Sequence, residues 1–149
     1  MNSSELSVHV DGYFTNMKGT LPQELRLLTG MQYFEIQHCG KDLRGDISDI
    51  GTDWTNLTAF AVNYNKLSRV FPFVNNSLLG TILMNGNDIE GDIGSISNLS
   101  SLSWFEAEGN KFAGSLPDAI TKMEYLCKMD LSLIKGHMYL IWNAFLTNI

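Results

Sequence analysis

The sequence predicts an α/β solenoid, a fold in which short coils of chain stack so that one strand per coil joins a parallel sheet. Three observations carry that prediction. First, residues 102–117 read LSWFEAEGNKFAGSLP: Leu102, Phe105 and Ala107 stand at strand-spaced apolar positions, Asn110 follows at a turn, and Phe112, Gly114, Leu116 and Pro117 close the unit. Second, the unit recurs as Leu79, Ile82, Met84, Asn87, Ile89, Gly91 and Ile93, and before that as Leu57, Phe60, Val62, Asn65, Leu67, Phe71 and Pro72. Third, the recurrence is nearly regular, with 79 − 57 = 22 and 102 − 79 = 23 residues between coils. Self-similarity at a fixed period of this size is the mark of a stacked repeat.

Taken in order, the chain enters the repeat almost at once. Residues 1–10, MNSSELSVHV, hold neither the basic nor the apolar region of a signal peptide. Val8 and Val10 take strand positions, and Met17, Gly19, Leu21 and Pro22 close the first coil. The second coil runs Met31, Phe34, Ile36, Cys39, Leu43, Gly45 and Ile47, and the pairs 10 and 36, 17 and 43, and 21 and 47 are each 26 residues apart. The first two coils thus carry extra residues between strand and closing segment, at Gly40, Lys41 and Asp42 in the second, where a solenoid tolerates insertions in a loop. Past Leu126, Met129 and Leu131 begin a sixth strand, after which LIKGH at 133–137 offers neither the turn Asn nor a closing segment.

Each part of the unit has a mechanical reason. Strand side chains alternate between faces, so the leucine-type positions point inward and the residues between them line an exposed strand face. An Asn at the following turn hydrogen-bonds backbone groups that would otherwise be buried without partners. Asn65, Asn87 and Asn110 are therefore expected to stack as a structural ladder. Cys39 takes that position in the second coil and packs as a small hydrophobe, and Tyr13 or Thr15 stands near it in the first.

The closing segments read MKGTLP at 17–22, LRGDIS at 43–48, IEGDIG at 89–94 and FAGSLP at 112–117. On these motifs the chain resembles leucine-rich-repeat proteins of the plant-type LxGxIP subclass, over about residues 5 to 131. The resemblance implies a right-handed superhelix of about five to six coils with a parallel concave β-sheet, a second short strand per coil, and loops or short 3-10 helices on the convex side. It also implies a recognition module like the ectodomain repeats of receptor-like proteins and receptor-like kinases. One coil departs from the motif, since LSRVFP at 67–72 puts Arg69 where glycine is usual, and an irregular convex side is expected there.

The domain division that follows is a leucine-rich-repeat domain over 1–131 and an irregular apolar tail over 132–149. Residues 138–146 are almost wholly apolar but fall short of the roughly twenty that a membrane span needs, so direct membrane insertion is not expected. The tail is a terminal cap, the product of a truncated or mis-spliced reading frame, or part of a longer chain. The last two are favoured, because natural caps present a polar outer face and this one would show Trp142 and Phe145. Uncapped ends would leave apolar faces open, so self-association through them is expected.

Composition excludes several function classes. With 16 acidic and 10 basic residues and a net charge of -6, the chain carries no electrostatic footprint for nucleic acid. Cys39 and Cys127 form no ligand spacing and are expected as buried free thiols, so no metal site follows. No cofactor is expected either, because the glycines follow the repeat and make no phosphate-binding loop. Among the acidic residues of the strand faces, Asp11, Glu35, Glu106, Glu108 and Asp130, paired acid and base work would need a cleft that raises one carboxyl's pKa, and an open concave sheet has none. His9, His38 and His137 have no nucleophile placed beside them by a motif and read as surface residues. No enzyme is expected.

The function expected is therefore binding of a protein or peptide ligand through the concave strands. The alternatives are part of a cell-surface receptor or receptor-like kinase ectodomain without activity of its own, and an intracellular scaffold or adaptor. The solvent-facing positions line up Tyr33, Trp104 and Lys128, then Glu35, Leu83, Glu106 and Asp130, then Gln37, Asn63, Asn85 and Glu108, then His38 and Tyr64. This aromatic patch ringed by acid suits a basic or aromatic-binding peptide. Six strands give a strip of about 500 Å², below the roughly 800 Å² per partner of a stable interface, so weak binding is expected of the chain alone. Asn-x-Ser/Thr sequons stand at Asn2, Asn56, Asn75 and Asn98, of which Asn56, Asn75 and Asn98 lie within the repeats as N-glycosylation candidates. They lean the localisation toward the extracellular or cell-surface side.

Overall fold

The computed structural model describes residues 9–13, 16–39, 42–134 and 141–143, with side chains over 16–39 and 42–134. The chain winds as a solenoid with two sheets. The concave sheet takes one strand from each coil: β1 (His9–Tyr13), β3 (Tyr33–Gln37), β5 (Ala59–Ala61), β7 (Thr81–Leu83), β9 (Trp104–Glu106) and β11 (Lys128–Asp130), all parallel in that order. A seventh strand, β12 (Ile141–Asn143), joins β11 antiparallel, so the concave strip is one strand wider than the repeats alone provide. Thus part of the segment expected as an irregular tail pairs with the sheet.

The second sheet runs β2 (Gly19–Thr20), β4 (Leu43–Asp46), β6 (Lys66–Val70), β8 (Asp88–Asp92) and β10 (Lys111–Ala113), each built from a closing segment. Arg69 does not break it. Its backbone takes φ +78°, in the same left-handed region as Gly19, Gly45 and Gly114, and β6 pairs with both neighbours. A side chain there costs about 1–2 kcal/mol, which the paired strand over-determines. Irregularity sits beyond Arg69, where the third coil crosses the convex side on turns. The first, fourth and fifth coils instead cross on 3-10 helices at Gln23–Leu27, Ile93–Asn98 and Asp118–Lys122. Pro22 and Pro117 lead into two of these helices, and Asp92 accepts a bond from the Gly94 N–H at 2.9 Å to start the third.

Between the layers lies one continuous apolar core. Leu57, Leu79, Leu102, Leu126 and their strand partners Phe60, Ile82, Phe105 and Met129 are all buried. An aromatic spine runs through the second and third coils and reaches the fifth: Phe34 meets Trp54 at 5.1 Å and Phe60 at 5.7 Å between ring centroids, Phe60 meets Phe73 at 4.8 Å, Phe73 meets Phe71 at 5.3 Å, and Phe71 meets Phe112 at 6.2 Å. Centroids 4.5–7 Å apart in tilted arrangements are favourable beyond their buried area. Trp54 donates its indole N–H to the Leu25 carbonyl at 3.0 Å, which satisfies the one polar atom of the spine. Gly51 makes room for Phe73, whose ring would lie 1.9 Å from a Cβ at that position.

The inner ladder forms as the repeat predicts. Each of Asn65, Asn87 and Asn110 donates to a carbonyl of its own strand end, Val62, Met84 and Ala107, and back to the preceding coil at Ile36, Val62 and Met84. Each also accepts a backbone N–H from the preceding coil, from Cys39, Leu67 and Ile89. The residue before the ladder position is left-handed in five coils: His38, Tyr64, Gly86, Gly109 and Leu133. The turn therefore continues into the sixth coil, with Ile134 buried at the ladder position, although no Asn marked it.

Two sequence expectations are corrected. Val10 stands opposite Phe34, not Ile36, so the first two concave strands are offset by 24 residues, and in the second sheet Gly19 likewise stands opposite Leu43. An even slip preserves which face each side chain takes, which is why alternation alone did not reveal it. Cys127 is exposed, not buried; Cys39 is buried as expected. Val8, Thr15, Gly40, Lys41, His137, Phe145 and Asn2 lie outside the described residues.

Candidate binding face

The concave strands present four rows of outward side chains. Nearest the strand starts stand Tyr33, Ala59, Thr81, Trp104 and Lys128, and the next row holds Glu35, Ala61, Leu83, Glu106 and Asp130. In the first row two exposed aromatics, Tyr33 and Trp104, flank two small residues. The second row puts an acid behind each aromatic, Glu35 and Glu106, with Ala61 and Leu83 between. The result is a shallow hollow, two coils wide, floored by Ala59, Ala61, Thr81 and Leu83 and bounded on each side by an aromatic–acid pair.

The third row departs from expectation. Gln37, Asn63 and Asn85, read from the sequence as solvent-facing, are only 6%, 8% and 6% exposed. The cause is backbone demand at the strand ends. Where the concave pairing stops, Asn63 Oδ1 accepts the Asn85 N–H at 2.7 Å and Asn85 Oδ1 accepts the Glu108 N–H at 2.8 Å, so a second amide ladder runs beside the first. Its remaining atoms join a polar chain across the face: Asn63 donates to Gln37 Oε1 at 2.6 Å, Gln37 to Glu35, and Asn85 to Glu106 Oε2 at 3.0 Å. The signal that could have found it is Asn-x-Asn at 63 and 65 and again at 85 and 87, one amide for each ladder.

Glu106 is the hub of the face. Its carboxylate accepts bonds from Lys128 Nζ, from Trp104 Nε1 at 2.9 Å and from Asn85. Burial pushes its pKa up, but these three donors outweigh that cost and hold the carboxyl below its ordinary value. Lys128 Nζ also lies over the Trp104 ring, 4.7 Å from its centroid. The sequence places Lys128 in the row of Trp104, but not its pairing with Glu106, which depends on where a long side chain folds back.

At the far rim, the His38 and Tyr64 rings meet at a tilt with centroids 4.8 Å apart, and the Tyr64 ring covers Gly86, where a Cβ would lie 2.7 Å from it. Glu108 and Asp130 are half-buried nearby in the row order, and Asp130 accepts the Ser132 N–H and hydroxyl at 2.9 and 2.7 Å. The face thus brings together Tyr33, Glu35, Trp104, Glu106 and Glu108, with Gln37, Asn63 and Asn85 as its floor and His38 and Tyr64 at its rim. Elsewhere, a convex cleft of about 490 Å³ between Trp54, Phe73 and Asn76 holds no titratable side chain. Among the described residues, no group of three His, Cys, Asp or Glu side chains is placed to hold a metal, and no helix is long and apolar enough to cross a membrane.

The leucine-rich-repeat ectodomain of the receptor kinase SOBIR1 from Arabidopsis thaliana superposes with a TM-score of 0.71 at 20% identity, covering 79% of this chain and 64% of that one. The chain has the leucine-rich-repeat solenoid fold. The plant peptide hormone receptor RGFR1, solved in complex with RGF2, aligns with a TM-score of 0.60 at 26% identity over 77% of this chain and 22% of the receptor. In sequence, the receptor-like kinase TMK2 of Arabidopsis thaliana is 28% identical over 104 residues, 66% of this chain and 12% of that protein. The chain therefore spans a small part of that relative, and the likeness is to ectodomain repeats of receptor-like kinases. No protein-family model matches the chain.

Proposed function

We propose that this chain is a non-catalytic recognition module that binds an extended, basic peptide or protein segment on its concave face, as part of a longer receptor-type ectodomain. The observation that carries the reading is the pair of aromatic–acid sites, Tyr33 with Glu35 and Trp104 with Glu106, on either side of the hollow at Ala59 and Thr81. Three strand spacings separate the two sites, about 14 Å, which an extended peptide covers in about four residues. A ligand that fits carries two basic residues about four apart with small or apolar residues between them. Exposed Trp and Tyr are the residue types that most often anchor interfaces. The complex of RGFR1 with RGF2, and the receptor kinase character of TMK2, support a ligand-binding ectodomain over an intracellular adaptor. So does the exposure of Asn56, Asn75 and Asn98, away from the concave strands, where attached glycans would leave the binding face open.

Selection of random twelve-residue peptides against the folded chain tests this reading. Enrichment of peptides with basic residues at i and i+4, competed by salt, is expected. Enrichment of acidic peptides, or of peptides whose binding survives loss of both Tyr33 and Trp104 side chains, would overturn it.

A further inference from the structure

Glu106 and Lys128 form an ion pair, yet its setting differs from that of Asp88 and its two lysines. Lys66 and Lys111 reach Asp88 from two sides, at 2.9 and 2.8 Å, on the open second sheet. The Glu106 side chain is 14% exposed and Lys128's is 36% exposed, so a well-shielded acceptor is served by a cation that still reaches solvent. Around the acceptor, every other group is held in place. Trp104 is tied to Glu106 through its indole N–H, and Asn85 is tied both to Glu106 and to the Glu108 backbone. The ammonium arrives instead on a flexible four-carbon stem from the neighbouring coil and rests over the indole ring.

An aromatic face beside a carboxylate is a cation-binding arrangement. We propose that Trp104, Glu106 and Asn85 form a cation seat, filled in the free chain by Lys128 and taken over by an arginine of the bound partner. This deepens the concave-face reading and rests on it. Exchange is favoured by the chemistry of the incoming group. A guanidinium is planar, stacks on an indole and gives a carboxylate two parallel N–H bonds, whereas an ammonium acts as a compact, strongly hydrated point charge. Lys128, whose side chain already reaches solvent, returns to water once displaced and costs little to release. The chain's own lysine then acts as a competitive occupant that tunes affinity downward and excludes partners with no cation to offer.

The test uses the isotope-labelled chain and follows the indole N–H resonance of Trp104, assigned by its disappearance in Trp104→Phe. N-acetyl-arginine amide is the probe and neutral N-acetyl-citrulline amide its control. In Lys128→Met, the arginine probe is expected to shift this resonance at a concentration at least about fivefold lower than in the wild type, while citrulline has no effect. Lys128→Arg, which refills the seat from within, is expected to resist the probe, and Glu106→Gln added to Lys128→Met is expected to abolish the response. Equal titration of wild type, Lys128→Met and Lys128→Arg, or an equal response to citrulline, would overturn the seat. Selected peptides that still bind through Tyr33 and Tyr64 in that event would leave the concave-face reading standing; a working seat with no peptide binding would sink only the latter.

Discussion

The two amide ladders lie two residues apart and teach different lessons. The inner ladder, Asn65, Asn87 and Asn110, sits inside the coil, where each side chain closes its own turn and the one before it. The outer one, Asn63 and Asn85, sits on the concave face, where strand alternation alone places solvent-facing residues, and is nonetheless buried. Both are held by the same cause, backbone N–H groups that lose their sheet partners at the strand ends. They differ in what lies on the other side. The inner ladder faces the core, whereas the outer one hands its spare amide hydrogens to Gln37 and Glu106 and so sets the floor of the concave face.

Removing one member of each ladder separates them. Asn87→Ala is expected to cost roughly 1–3 kcal/mol in thermal or denaturant unfolding, since the Leu67 N–H and the Val62 and Met84 carbonyls lose a buried partner. Asn85→Ala is expected to cost less, about 1–2 kcal/mol, because the Glu108 N–H that it serves belongs to a half-buried residue. Exposed Asn98→Ala is the control, at under about 0.5 kcal/mol. An Asn85 variant as harmless as the Asn98 one would mean that the outer row is surface after all.

The closing segments sharpen the contrast between backbone demand and side-chain choice. Arg69 holds a left-handed backbone that glycine adopts freely, so Arg69→Gly is expected to stabilise the chain by up to about 1 kcal/mol. A loss of stability would show that the arginine side chain makes contacts that outweigh its backbone strain.

A smaller effect is expected from pH. The Lys111 and Lys66 ammonium groups hold the Asp88 carboxyl below its ordinary value, and the Glu106 carboxyl is also lowered. A carboxyl with a depressed folded-state pKa contributes stability that is present above its unfolded value and is lost as pH falls through the folded one. The melting temperature should thus fall as pH drops below the ordinary carboxylate range, and Glu106→Gln should flatten part of that fall. Asp88 contributes less, since its partners are exposed and screened.

Much of this molecule was legible before its structure. The period exposed the coils, and the inner Asn positions announced their own hydrogen bonds, because a polar residue in an otherwise apolar register must satisfy a buried backbone group. The second sheet followed from the family resemblance that the closing segments carry. The outer ladder stayed hidden because alternation assigns a face but says nothing of unpaired N–H groups at a strand's end. The hollow at Ala59 and Thr81 has no motif in the sequence, because small side chains mark no chemistry of their own and the absence of bulk is what shapes a groove. Lys128 was visible in the row of Trp104, but its return to Glu106 is a matter of rotamer, which spacing does not encode. Ile134 shows the converse, a turn that persists without its marker residue.

The concave face, and not the convex one, is expected to bind. Peptides selected against the chain provide the most direct measurement, through their affinity for four single variants with melting temperatures recorded alongside. Trp104→Ala and Tyr33→Ala are each expected to weaken binding by about 1 kcal/mol or more at nearly unchanged melting temperature, and Leu27→Ala and Leu78→Ala, exposed on the convex crossings, are expected to leave it intact. Undiminished binding by the first two together with loss in the second two would contradict the account.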